Sequence, residues 1–107
     1  MLNQRSAIDL ATSFIHQIEQ KDLHIKKVYL YGSFAKNMQH ELSDIDIAII
    51  ADEFIGSMLI DGELFKEIHV KKPFYLIQPK TYNTSYFEKG DAFIDEIKKT
   101  GIELNIN

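Results

Sequence analysis

The stretch YGSFAKNMQHELSDIDIAII, residues 31–50, decides how this chain is read. An apolar run over residues 26–31 stops at the small-residue turn Gly32-Ser33, and a second apolar run opens after Asp44. Side chains at i and i+2 of a strand leave from the same face, so Asp44 and Asp46 stand together where the second run begins. Gly32 has no Cβ to keep a ligand away, and Ser33 adds a hydroxyl and an N–H to the same turn. Lys36, one turn further on, can neutralise phosphate charge. Mg²⁺ takes a few carboxylates and fills its shell with waters and phosphate oxygens. Two carboxylates on a rigid strand beside such a turn therefore suit Mg²⁺ together with a nucleoside triphosphate.

Working outward, residues 5–21 place Ile8, Leu10, Ala11, Phe14, Ile15 and Ile18 at helical spacing. Residues 26–31 read as a strand, residues 33–38 as one helical turn closed by a left-handed Asn37, and residues 45–51 as a strand buried on both faces. A helix is expected within residues 54–70, weakened by Gly56 and Gly62, and a third strand within residues 73–79. Residues 82–90 read as a loop or single turn, residues 91–99 as a helix stopped by Gly101, and residues 102–106 as an edge strand. This order predicts an α/β (α+β) sandwich, a small mixed β-sheet packed against helices, as a single domain over residues 1–107.

Composition narrows the functions. A formal net charge of −4 argues against general binding to DNA or RNA, which needs a basic face. The chain has no cysteine, which removes disulfides, thiolate metal sites and a cysteine nucleophile and fits a cytoplasmic protein. No apolar run approaches the roughly 20 residues of a membrane span, and no signal pattern opens the chain. His16, His24, His40 and His69 lack the spacing of metal ligands. The tyrosines have no adjacent base, and the aromatic group Phe74, Tyr75, Tyr82, Tyr86 and Phe87 reads as core or as a partner surface.

Gly32-Ser33, ten residues, then Asp44-Ile45-Asp46 and an apolar run resembles the signature of the DNA polymerase β-like nucleotidyltransferase superfamily. More narrowly, YGSFAKN followed by SDIDIAII is similar to the minimal nucleotidyltransferases, the MNT group. The resemblance implies the nucleotidyltransferase fold, with Mg²⁺ (two ions in an active enzyme) and ATP or another nucleoside triphosphate as substrate. It implies Gly32 and Ser33 as the phosphate-binding turn and Asp44 and Asp46 as metal ligands and catalytic residues. It also implies a helical HEPN-type partner, the pair acting as toxin and antitoxin, with AMP transferred to a partner hydroxyl. A homo-oligomer is compatible with it.

Two departures stand out. Asn37 occupies a position where the family usually has Gly. Active members also usually carry a third acid on the next core strand, where it serves as general base and metal ligand. Residues 73–79 contain no acid; Gln78 is the nearest polar residue, and Glu63 or Glu67 would have to reach in from the preceding segment. The chain is thus expected to be a nucleotidyltransferase or, without the third acid, a partner-binding module on the same fold. An enzyme modifying a small molecule is a third reading, for which the chain has little length to spare.

Overall fold

In the computed structural model, which describes residues 2–106, Asn3 caps the first helix, α1 (Gln4–Glu19). The Asn3 side chain accepts the Ser6 N–H at 2.8 Å while Ser6 Oγ accepts the Asn3 N–H at 2.9 Å, so two backbone donors that the helix leaves free are satisfied reciprocally. Ala11, Phe14, Ile15 and Ile18 are buried, as the periodicity predicts, whereas Ile8 and Leu10 are only half-buried at the rim and Ala7 joins the core face instead.

α1 lies on a four-stranded mixed sheet in the order β3-β2-β1-β4. β1 (Ile25–Tyr31) runs antiparallel to β2 (Ile45–Ala51), β3 (Ile77–Asn83) runs parallel to β2, and the short β4 (Ile102–Glu103) pairs antiparallel with β1. β2 is interior and its alternate residues feed two cores. Ile45, Ile47, Ile49 and Ala51 pack with Phe14, Phe34, Phe54 and Phe65 on the α1 side. Ala48 and Ile50 pack on the other side with Tyr29, Tyr82, Phe87, Ile94 and Ile97. A strand covered on both faces needs an unbroken apolar run, which is why residues 45–51 show no polar alternation beyond Asp46.

Several expectations need correction, beginning with the edge strand expected over residues 102–106, of which only Ile102–Glu103 pairs as β4. Residues 54–70 do not form one helix but two single-turn helices, α2 (Met58–Asp61) and α3 (Lys66–His69), separated by a 3₁₀ turn over Gly62–Leu64. The cause is Asp61, an acid only 1% exposed. Its carboxylate turns back to accept N–H groups from Ile55 (3.0 Å), Gly56 (2.9 Å) and Ser57 (3.1 Å), and the Thr81 hydroxyl at 2.7 Å. Those donors belong to the loop after β2 and to β3, so Asp61 binds loop, helix and sheet together.

The third strand lies later than residues 73–79. Phe74–Leu76 is a 3₁₀ turn and β3 begins at Ile77, carrying Pro79 inside it. β3 is an edge strand, where a missing N–H need not cost a ladder bond. Residues 82–90 are likewise not a loop: they finish β3 and form α4 (Thr84–Lys89), whose cap is the Asn83 side chain accepting the Ser85 N–H at 3.0 Å. α5 (Ala92–Thr100) follows as expected, capped by Asp91. The aromatic group divides, with Phe74, Tyr82 and Phe87 buried and Tyr75 and Tyr86 exposed. No helix among the described residues is long and apolar enough to cross a membrane.

Candidate functional site

The hairpin of β1 and β2 sets Tyr31 opposite Asp46, and Gly32 continues directly from that pair. Gly32 has φ +75°, a conformation that side chains resist. A Cβ placed on it would also stand 2.5 Å from Asp46 Oδ2. The carboxylate therefore packs against the bare Cα of the turn. Glycine is demanded twice here, once by the backbone and once by the acid.

The turn over residues 32–37 is built from three backbone bonds: Lys36 N–H to the Gly32 carbonyl, Asn37 N–H to Phe34 and Met38 N–H to Ser33, the last at 2.8 Å. The expected one-turn helix is thus a run of tight turns, and Asn37 takes the expected left-handed backbone at φ +57°. None of these bonds uses the N–H of Ser33, Phe34 or Ala35 as donor. Phe34 is buried beneath the turn, and the Gln4 side chain amide of α1 donates to the Phe34 carbonyl at 2.9 Å and the Ala35 carbonyl at 3.2 Å. The turn is held from below while its outer side stays open.

Asp44 is exposed and precedes β2; Asp46 is half-buried within it. A second turn, in which His40 N–H donates to Ser43 Oγ and Ser43 N–H to the His40 carbonyl, delivers the chain to Asp44. Burial, and then the neighbouring Asp44 charge, push the Asp46 carboxyl above its ordinary range. The Tyr31 phenol is raised to about 12, first by burial and then by Asp46. Two repelling carboxylates held together in a partly desolvated place are what a divalent cation relieves, so the donor set fits a Mg²⁺ ion that draws its other ligands from water and phosphate.

Gln78 is the β3 partner of Asp46, Lys80 of Ala48 and Tyr82 of Ile50. Because Ala48, Ile50 and Tyr82 share one core on one face, Asp46, Gln78 and Lys80 belong to that face as well. The position beside Asp46 on the next strand is thus filled by an amide, which hydrogen-bonds but takes no proton. Glu63 and Glu67 do not fill the gap. Glu63 pairs with Lys66 at 2.8 Å, and Glu67 pairs with Lys21, on the segments near α1 across the sheet. Among the described residues no three His, Asp or Glu side chains converge as a metal cluster.

Lys36 is exposed on the turn and lines, with Tyr31, Gly32 and Phe93, a cavity of roughly 200 Å³. Gly32 and Asp46 thus meet where β1 ends and β2 begins, with Ser33 and Lys36 on the turn that follows Gly32 and Asp44 just ahead of β2. Tyr31 and Phe93 were not expected there, and they meet edge to face at 5.7 Å between ring centroids. For Tyr31 the signal was available, since the residue before the glycine of a hairpin turn must lie beside the strand that returns. Phe93 gives no such signal, because α5 reaches the site only through tertiary packing.

No curated protein and no solved structure matches the chain significantly. A family model does: polymerase beta, nucleotidyltransferase, over residues 13–105. That span includes the turn, both aspartates and all four strands, and the chain belongs to the polymerase beta nucleotidyltransferase family.

Proposed function

We propose that the chain binds a Mg²⁺-bound nucleoside triphosphate, ATP foremost, and transfers its nucleotidyl group to a hydroxyl on a partner protein. The observation that supports the reading is the contact of the Asp46 carboxylate with the bare Cα of Gly32, which joins an acid of the pair to the turn proposed to hold phosphate. In this reading Ser33 and the open N–H groups of its turn hold phosphate oxygens, and Lys36 offsets their charge. Mg²⁺ bound by Asp44 and Asp46 supplies charge neutralisation at the phosphates. The acceptor hydroxyl gives up its proton to solvent as its oxygen bonds to the α-phosphorus, the bond from that phosphorus to the oxygen bridging to the β-phosphorus breaks, and pyrophosphate leaves. A helical HEPN-type protein is the proposed acceptor, the two forming an antitoxin and toxin in the cytoplasm, with a homo-oligomer as the proposed state of the free chain.

Gln78 beside Asp46 favours a second reading. Without an acid there, the fold serves as a binding module that neutralises its partner by contact alone. Calorimetric titration of Mg²⁺-ATP into the chain and into Asp46→Asn tests the first reading. Saturable binding lost in the variant supports it, and binding that ignores the substitution removes the acid pair from the site. Label from α-³²P-ATP appearing on a co-expressed helical partner then separates transfer from contact.

A further inference from the structure

No tyrosine has a base beside it in the sequence, but folding supplies one to Tyr86. Its hydroxyl donates to Asp91 Oδ2 at 2.6 Å, across the connection at Gly90 that joins α4 to α5. Gly90 has φ +85°, a backbone that side chains resist, so the close approach of the two residues depends on it. The other Asp91 oxygen accepts the Ile94 N–H at 2.8 Å, which fixes the carboxylate in place. The hydrogen bond from Tyr86 holds the Asp91 carboxyl below its ordinary range, so it is charged at neutral pH. A hydroxyl held on a carboxylate that a further bond orients is the arrangement of a nucleophile with its base.

Tyr86 is 49% exposed and, with Asp91, Lys80 and Phe93, borders a cavity of roughly 410 Å³. The other hydroxyls lack one half of this combination. Tyr29 faces a carboxylate, Glu103, but is only 7% exposed. Tyr75 is exposed, and its hydroxyl has no hydrogen-bond partner among the described residues. Thr84 donates to Asp52 at 2.7 Å, yet an aliphatic hydroxyl is a much weaker acid than a phenol. The Tyr86 ring stacks on Tyr82, 9° from parallel with centroids at 6.2 Å, and Tyr82 packs with Ala48 and Ile50 on the face to which Asp46 belongs. Tyr82 lies four residues along β3 from Gln78, the partner of Asp46, which is roughly 13 Å at about 3.3 Å per residue. Attack on phosphorus needs about 3–3.5 Å between the reacting atoms. The phenol thus shares a face with the acid pair and stands away from it along the strand.

We infer that Tyr86 is an acceptor of the chain's own transfer, nucleotidylated at the acid pair of a second copy with Asp91 as the base. The inference rests on the nucleotidyltransfer reading and adds a modification site to it. As the Tyr86 oxygen bonds to the α-phosphorus of the Mg²⁺-bound triphosphate, its proton passes to Asp91 Oδ2. The bond from that phosphorus to the oxygen bridging to the β-phosphorus breaks, and pyrophosphate leaves. The product is a phosphodiester on the phenol, which has no proton left to give Asp91. A positioned base contributes about 10²–10⁴-fold to such a step.

The test incubates the purified chain with Mg²⁺ and α-³²P-ATP, reads label on the denatured chain and locates it by peptide mass mapping. The variants are Tyr86→Phe, Asp91→Asn and Tyr75→Phe. Asparagine still caps α5, and circular dichroism checks that each variant folds. Label on Tyr86 that is absent from Tyr86→Phe, at least about tenfold slower in Asp91→Asn and unchanged in Tyr75→Phe supports the site. Label on another residue, label that survives Tyr86→Phe, an Asp91→Asn rate equal to the parent's, or an unlabelled parent overturns it. Mixing Tyr86→Phe with a size-tagged Asp46→Asn chain reads the transfer between copies. Label on the tagged chain supports that step, and its absence overturns it. An unlabelled chain beside a labelled co-expressed helical partner leaves the transfer reading standing and removes the self-acceptor alone, whereas no label on either removes both.

Discussion

Replacing Asp61 by alanine is expected to remove a large part of the stability of this fold. Its carboxylate accepts three backbone N–H groups and one hydroxyl at 2.7–3.1 Å, in a place only 1% exposed. Hydrogen bonds to a charged group contribute about 1.5–3 kcal/mol each, but they are not additive. Ile55 and Gly56 lie in an exposed loop, so water can reach some of the orphaned donors after truncation. The buried Thr81 hydroxyl has no such recourse. A net loss of about 3–5 kcal/mol follows, as for breaking other buried charge networks. A chain of this size has about 5–15 kcal/mol in all. Thr81→Val removes one bond and should cost about 1 kcal/mol, and Asp61→Asn, which turns an acceptor into a donor facing donors, should fall between. Urea unfolding followed by far-UV circular dichroism measures all three, and the double variant gives the coupling of Asp61 to Thr81. An Asp61→Ala variant within 1 kcal/mol of the parent, at unchanged slope, would refute the idea that this acid ties loop to sheet.

Gly32→Ala should cost about 1 kcal/mol from its φ of +75°, yet weaken Mg²⁺-ATP at least about tenfold in calorimetry, because its Cβ displaces Asp46 Oδ2. Gly101→Ala puts a Cβ 2.5 Å from the Ile97 carbonyl and 2.9 Å from that of Leu30, both backbone. It should cost about 1–3 kcal/mol without touching nucleotide affinity, read as a melting shift of several degrees. Asp46→Asn should raise the melting temperature of the metal-free chain at neutral pH. The Asp46 carboxyl is raised in the fold, so its charge opposes folding above that raised value and costs nothing below the ordinary carboxylate range. The gain should therefore vanish in acid, and a variant less stable at pH 7 contradicts a charge opposed first by burial and then by Asp44. The His24 ring, 2.5 Å from Glu53, should titrate by NMR above its ordinary 6.5, chiefly through that hydrogen bond, and Glu53→Gln should bring it back.

The hairpin that carries the acids was legible because everything it needs is local. A strand, a glycine turn and a strand with acids two apart determine their own geometry, and the structure places Gly32 and Asp46 in contact. β3 was displaced because Pro79 reads as a strand terminator, and only the sheet order reveals that it sits on an edge strand. α4 was missed because a single capping side chain, Asn83, is what begins it. Asp61 was invisible for a different reason. An acid among Met58, Leu59 and Leu64 looks like the solvent side of an amphipathic helix, and only the chain folding back over it turns it inward. Lys80 on β3 and the neighbouring Asp91 and Phe93 at the start of α5 come from two segments whose convergence no spacing encodes.

The charge arrangement on this face constrains the chemistry more tightly than the motif does. Asp46 already resists ionisation beside Asp44 in a half-buried place. A third carboxylate at residue 78, its neighbour on β3, would deepen that repulsion in the metal-free chain and would be relieved only by more bound cation. Gln78 avoids that repulsion and leaves two carboxylates, a number suited to one divalent ion whose remaining ligands are phosphate and water. Lys36 on the turn after β1 and Lys80 on β3, two residues from the partner of Asp46, then add positive charges to the segments around the acid pair. A fixed ammonium attracts phosphate whether or not a metal is present, whereas an acid pair attracts it only through a metal. Nucleotide affinity at this edge should accordingly divide into a part that follows Mg²⁺ and Asp46 and a part that does not. The metal-free part should fall with rising salt.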